Sequence, residues 1–139
     1  MKRLLFATVA LFFSVISYAQ IEGKWKTIDD ETGKAKSIVE IYKKADGKYY
    51  GKVVQLLIKP EYATCISCKD DRKNKPILGL EIIRGLSKDD SEFDGGTITD
   101  PKNGKTYKCS ITRSGDKLNV RGYIGFSLIG RTQTWTKAD

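Results

Sequence analysis

Three cysteines, no histidine and a few acidic clusters are what this sequence offers to chemistry. Cys65-Ile66-Ser67-Cys68 has the spacing of a bridge, a redox pair or half of a metal site, while Cys109 stands apart in a segment of strand-forming residues. Without histidine, Ser-His and Cys-His nucleophiles have no base, and proton transfer near neutral pH loses its commonest agent. The same absence, together with the lack of a second Cys-x-x-Cys, leaves a zinc site short of ligands. A redox dithiol needs a helix N-terminus to lower its thiolate pKa, and the polar surroundings of Cys65 and Cys68 do not read as one. No catalytic residue, metal ligand or cofactor site is therefore expected.

The carboxylates give the same answer. Asp29-Asp30-Glu31 runs into Thr32-Gly33 and reads as a hairpin turn rather than a calcium cluster. Asp70-Asp71, and Asp89-Asp90 with Glu92, lack the spacing of an EF-hand loop and read as solvated. Tyr42, Tyr49, Tyr50, Tyr107 and Tyr123 each combine apolar area with a hydroxyl, which suits a cavity wall and equally suits a strand.

Residues 1–19 stand apart from the rest. Lys2 and Arg3 precede a mostly apolar run, 4–16, and then Ser17-Tyr18-Ala19, the pattern of a secretory signal peptide cleaved after Ala19. That apolar run would reach about 20 Å as a helix, against roughly 30 Å of bilayer hydrocarbon. A soluble, exported mature chain of one domain, residues 20–139, is expected in the periplasm or outside the cell. Such a compartment favours a disulfide, and Cys65 with Cys68 is the nearest of three pairings. Cys109 reads as a small buried hydrophobe.

Removing Lys2 and Arg3 lowers the formal charge from +8 to +6, with 23 basic residues against 17 acidic ones. The lysines are dispersed among acids with no long like-charge run, which excludes a nucleic-acid footprint and leaves weak attraction to anionic envelope surfaces.

Eight short runs rich in Val, Ile, Thr and Tyr must position these groups: 22–29, 35–44, 48–58, 77–85, 93–99, 105–113, 117–125 and 127–136. Polar turns such as Ala45-Asp46-Gly47-Lys48, Ser114-Gly115-Asp116 and Asp100-Pro101-Lys102-Asn103-Gly104 separate them. Tyr107, Cys109 and Ile111 alternate with polar neighbours, as do Leu118, Val120, Gly122, Ile124 and Phe126. The run 49–58 is apolar on both faces, so something should cover its outside. One long irregular stretch, 59–76, is too polar for a core element and is expected to lie over or beside one barrel end.

A meander of eight antiparallel strands with no helical partner has two edges to hide, and closing the sheet hides both. Closure pairs the first run with the last. It is expected to bring Trp25 beneath Arg131 in a cation–π contact, with Gly23 leaving room for the indole.

Gly23-x-Trp25 with Arg131 resembles the signature pair of the lipocalin and fatty-acid-binding superfamily, and avidin-like barrels begin similarly. More of the chain, including Cys65-x-x-Cys68, Pro76-Ile77-Leu78-Gly79-Leu80, Asp100-Pro101-x-Asn103-Gly104-Lys105-x-Tyr107, Arg121-Gly122-Tyr123 and Gly130-Arg131-Thr132-Gln133-x-Trp135, resembles an exported bacterial family labelled a domain of unknown function. The resemblance spans about Ile21 to Trp135. It implies a lipocalin-like closed barrel, exported, that holds a small apolar molecule, and it brings no catalytic residues.

The expected fold is thus all-β, an eight-stranded antiparallel up-and-down barrel. The expected function is non-enzymatic binding of a small apolar or amphipathic molecule by an interior that includes Val39, Ile41, Tyr49, Val53, Tyr107, Cys109, Ile111, Val120 and Ile124. A filled barrel serving as an envelope interaction module, and a thiol-redox or other enzyme, are the alternatives.

Overall fold

The computed structural model describes residues 20–125 and 129–138. The predicted signal peptide, 1–19, and Phe126, which alternation assigns to the inner face, lie outside the described residues. Eight strands follow one another: β1 (Gly23–Ile28), β2 (Ala35–Lys43), β3 (Tyr49–Leu56), β4 (Glu81–Asp89), β5 (Glu92–Thr99), β6 (Thr106–Ser114), β7 (Lys117–Ile124) and β8 (Ile129–Lys137). Each pairs antiparallel with its neighbours in sequence order, and β8 returns to β1 to close the barrel. No described residue is helical, and no described helix is long and apolar enough to cross a membrane.

Tight turns make this order inevitable. Asp29 Oδ1 accepts hydrogen bonds from the amides of Glu31 (2.8 Å) and Thr32 (3.2 Å), so the acidic triplet is a turn, as expected. Asp100 Oδ1 likewise accepts from the Lys102 amide at 2.8 Å, and Gly104 takes the positive φ of +72° that ends that turn.

Seven strands fall within a few residues of the expected runs. The fourth begins four residues late, at Glu81 rather than residue 77. Ile77-Leu78-Gly79-Leu80 has strand composition, but Gly79 turns the chain at φ +90°. Its amide donates to Val53 O, and Val53 N donates to Leu80 O, which hooks the segment onto β3 before β4 starts.

Connection order defines two barrel ends. The lower end holds the β2–β3, β4–β5 and β6–β7 turns together with residues 20–22, and it is packed solid. Trp25, Phe93, Ile41, Ile111, Leu86 and Leu118 are almost wholly buried there. Tyr49 meets Phe93 edge-on at 5.0 Å between centroids.

Closure is as expected, but its detail is not. Trp25 pairs with Lys137, and Arg131 pairs with Gly122 at the other end of β8. Six residues of strand, about 20 Å, separate Arg131 from the indole. Arg131 is exposed and pairs instead with Asp30. The cation over Trp25 is Arg113, at the end of β6, with its guanidinium carbon 5.3 Å from the ring centroid. Arg113 also donates to Gly115 O at 2.8 Å and Gln20 O at 2.6 Å, while Trp25 Nε1 donates to Ile21 O at 2.9 Å. Gly23 does not make room for the indole, since a Cβ there would meet nothing within 4 Å. Its φ of +128° is the reason for glycine.

Arg113→Ala should lower stability by about 1–2 kcal/mol, because it removes the cation–π contact and two carbonyl anchors together. Arg131→Ala should cost less than about 1 kcal/mol, as an exposed ion pair does. Urea unfolding of both variants checks the ranking.

Candidate functional site

The upper end of the barrel is not filled. A cavity of about 930 Å³ opens there, bounded by the β1–β2, β3–β4 and β5–β6 connections. Its walls are apolar side chains from across the barrel, among them Val53, Leu56, Ile82, Ile98 and Val120, and Trp135 lies at its floor. Trp135 is held by its Nε1, which donates to Gln133 Oε1 at 3.1 Å. Charged residues such as Asp29, Lys36, Lys59, Lys102 and Arg131 also border it, while the Thr27 and Ser37 hydroxyls lie 2.8 Å apart and Thr99 pairs with the exposed Thr106 at 2.7 Å. A pocket of this size, mostly apolar with a few fixed polar groups, is what small-molecule sites look like.

Of the nine residues expected in the interior, Val53, Tyr107, Val120 and Ile124 line the cavity. Ile124 stands at the rim, 62% exposed. Val39, Ile41, Tyr49, Cys109 and Ile111 face inward as their alternation requires and belong to the packed core, but they do not line the cavity. Alternation assigns a face, not a height along the barrel axis. The large rings of Trp25, Phe93 and Tyr49 use up the lower half, so the open volume falls to residues nearer the upper ends of the strands. Leu56, Ile82, Ile98 and Gln133 were missed for that reason.

The cysteine loop shapes one wall. Cys65 and Cys68 form a disulfide with their Cα atoms 5.4 Å apart, and both are buried in the main core. The polar composition of 59–76 had suggested a segment outside the core, yet its cysteines and the Arg72 side chain are buried. Thr64 bridges to Pro76, so the loop runs out and back as a narrow ribbon. The β5–β6 turn presses on it: a Cβ at Gly104 would come within 1.9 Å of Ser67 O.

Ion pairs staple the same loop to the outer face of the sheet. Arg72 grips Asp70 and donates to Glu81 O at 3.0 Å. Arg84 on β4 holds Asp71 through two hydrogen bonds, at 2.8 and 2.9 Å, and Glu81 through a third, at 2.8 Å. Tyr42 donates to Glu81 at 2.7 Å, and Lys44 lies 2.9 Å from the same carboxylate. These contacts, with Tyr42 of β2 stacked on Tyr50, lie on the outside of β3, whose run 49–58 is apolar on both faces. The hydrogen bond from Arg72 holds Asp70 well below the usual carboxylate range, and that from Arg84 lowers Asp71. Burial pushes Glu81 upward, but hydrogen bonds from Lys44, Tyr42 and Arg84 outweigh it and lower the group.

Cys109, the remaining thiol, is pushed up to about 12 by burial and stays protonated at neutral pH. Among the described residues, no three Cys, Asp or Glu side chains converge on a metal-sized site.

The fold and cavity together define a lipocalin-like β-barrel. This chain belongs to the family described as "Uncharacterized protein conserved in bacteria (DUF2147)", which matches residues 23–137. A search of curated proteins gives no match. Among solved structures the chain is similar to "Protein HP1028 from the human pathogen Helicobacter pylori belongs to the lipocalin family", with a TM-score of 0.74 and 19% identity, over 86% of this chain and 84% of that one. At that identity the likeness establishes the fold.

The ion-pair staple makes the loop acid-sensitive. Asp70, Asp71 and Glu81 titrate lower in the folded than in the unfolded chain. The stability they supply is therefore fully present above the ordinary carboxylate range and is lost progressively as pH falls from that range through the lower pKa values of the folded chain. Taking the protein from about pH 6 to about pH 3 should expose the amides of 69–76 before those of the strands. Hydrogen exchange, corrected for intrinsic rates, measures this, and the D70N/D71N variant should exchange rapidly there already at the higher pH.

Proposed function

We propose that this chain is an exported, non-enzymatic binding protein that takes a small apolar or amphipathic molecule into the upper half of its barrel. The observation that carries the reading is the cavity of about 930 Å³ with apolar walls above a packed lower core. Transfer of apolar surface from water into such a pocket is favourable by about 25 cal/mol per Å². The similarity to a lipocalin-family structure supports the same conclusion at the level of fold, and the pattern of residues 1–19 supports export.

A filled barrel acting as an interaction module fits the lower half of the molecule but leaves the upper half without a role. Thiol-redox chemistry finds little to work with, since Cys65 and Cys68 are joined and buried and the Cys109 thiol is buried and neutral. The rim supports the route of entry. Ile58, Tyr62, Ile66 and Ile129 line the cavity and are between 44% and 72% exposed. Clustered exposed apolar side chains mark a surface that meets apolar matter. Exposed lysines beside them, such as Lys59 and Lys102, would give the protein weak affinity for an anionic envelope surface.

Gly122→Leu tests the cavity directly. A Cβ at Gly122 meets Tyr107 and Ile98 at ordinary contact distances of 3.4 and 3.5 Å, so the backbone tolerates it while the rest of the side chain occupies the cavity. Binding of an environment-sensitive naphthylamine dye should weaken by about tenfold or more with the melting temperature nearly unchanged. Native mass spectrometry of detergent-free protein should show a co-purified small molecule in the wild type and less of it in the variant. Dye binding unaffected by the substitution would refute a ligand in the barrel.

A further inference from the structure

A second, smaller cavity of about 390 Å³ adjoins the first at the barrel mouth, lined by Lys69 and Lys105 together with Cys68, Asp70, Gly104 and Thr106. The two share Thr99, Tyr107 and Ile124 as a common wall. They differ in chemistry: the first is mostly apolar, whereas the second carries a larger polar share of its surface and two lysines. We propose that this side cleft is an anionic headgroup subsite, so that the molecule held by the barrel is an amphiphile with its chain in the large cavity and a carboxylate or phosphate between Lys69 and Lys105.

The cleft is built by two close constraints rather than by chance proximity of exposed lysines. The Cys65–Cys68 disulfide fixes the residue before Lys69. Gly104, the residue before Lys105, lies so close to Ser67 O and Cys68 N that any side chain would clash, at 1.9 and 2.8 Å. Both lysines are thereby carried to one wall, one from the cysteine loop and one from the β5–β6 turn.

The charge on that wall is available. Neither Lys69 nor Lys105 makes an ion pair among the described residues. The carboxylate that lines the cleft, Asp70, is already taken by Arg72, which holds both of its oxygens. The local balance is therefore two free ammonium groups beside a neutralised pair. Tyr107, whose hydroxyl has no hydrogen-bond partner among the described residues, lies on the wall that the two cavities share. Charge-assisted contacts from two lysines favour an anion over a neutral polar group.

The inference rests on the barrel-binding reading, and matched probes separate the two. Dodecanol, dodecanoate, dodecyl phosphate and dodecyltrimethylammonium, each below its micelle concentration, are titrated against the dye-loaded protein. Wild type should bind the two anions about tenfold more tightly than dodecanol, and the cation most weakly, with the preference shrinking at high salt. The K69Q/K105Q double variant should bind the anions no better than dodecanol and should leave dodecanol affinity unchanged. Which anion binds more tightly then distinguishes carboxylate from phosphate. If dodecanol binds wild type as tightly as the anions, the subsite is wrong while the barrel cavity stands. A double variant that loses dodecanol and the anions alike would show the lysines to be structural, and failure of every probe to bind would sink both readings.

Discussion

The structure depends on one constraint: a sheet that no helix covers among the described residues must leave no edge. Backbone pairing of Trp25 with Lys137 and Lys26 with Thr136 satisfies it, and the hydrogen bond from Ala138 N to Lys24 O extends the seam. Once β1 meets β8, inward side chains of all eight strands share one enclosed space, and its filling decides what the protein can do. The large rings lie low, where Arg113 clamps residues 20–21 over Trp25 and seals that end. What remains above Trp135 is a chamber with an open mouth.

The mouth is fixed by a different kind of interaction. The 24-residue connection between β3 and β4 contributes few apolar side chains to the core, and its position follows from a disulfide, a glycine-to-carbonyl contact and a set of carboxylate–guanidinium pairs on the outer face. Charged anchors suit a segment at the surface, since each can be solvated when released and none demands a large apolar area. The contrast gives the molecule a packed base and a wall held by titratable anchors.

Much of the architecture was legible in the residues. Val, Ile, Thr and Tyr in short runs, with Asp-Gly, Asn-Gly and Ser-Gly turns between them, determine eight antiparallel strands and their order, and the edge argument determines closure. The site was legible in part, because period-two alternation tells inside from outside and nothing more. Val53 and Ile41 look alike in sequence, yet one faces the chamber and the other the packed base. The difference lies in distance from the rings of Trp25, Phe93 and Tyr49, which depends on inter-strand register. The partner of Trp25 was misassigned for the same reason: Arg131 and Arg113 both stand in late strands, and only the register between β1 and β8 shows which end each occupies. Gly79 and Gly104 hid their roles too, since a positive φ or a close backbone approach leaves no mark in composition.

The account's central claim is that the upper half of the barrel admits a ligand while the lower half does not. Titration of isotopically labelled protein with dodecanol, followed by NMR chemical shifts, tests it residue by residue. Shifts should concentrate at Val53, Ile82, Ile98, Val120 and Gln133, with Ile41, Leu86, Phe93 and Ile111 almost unmoved. Shifts confined to the outer surface, or an interior that does not respond at all, would contradict it.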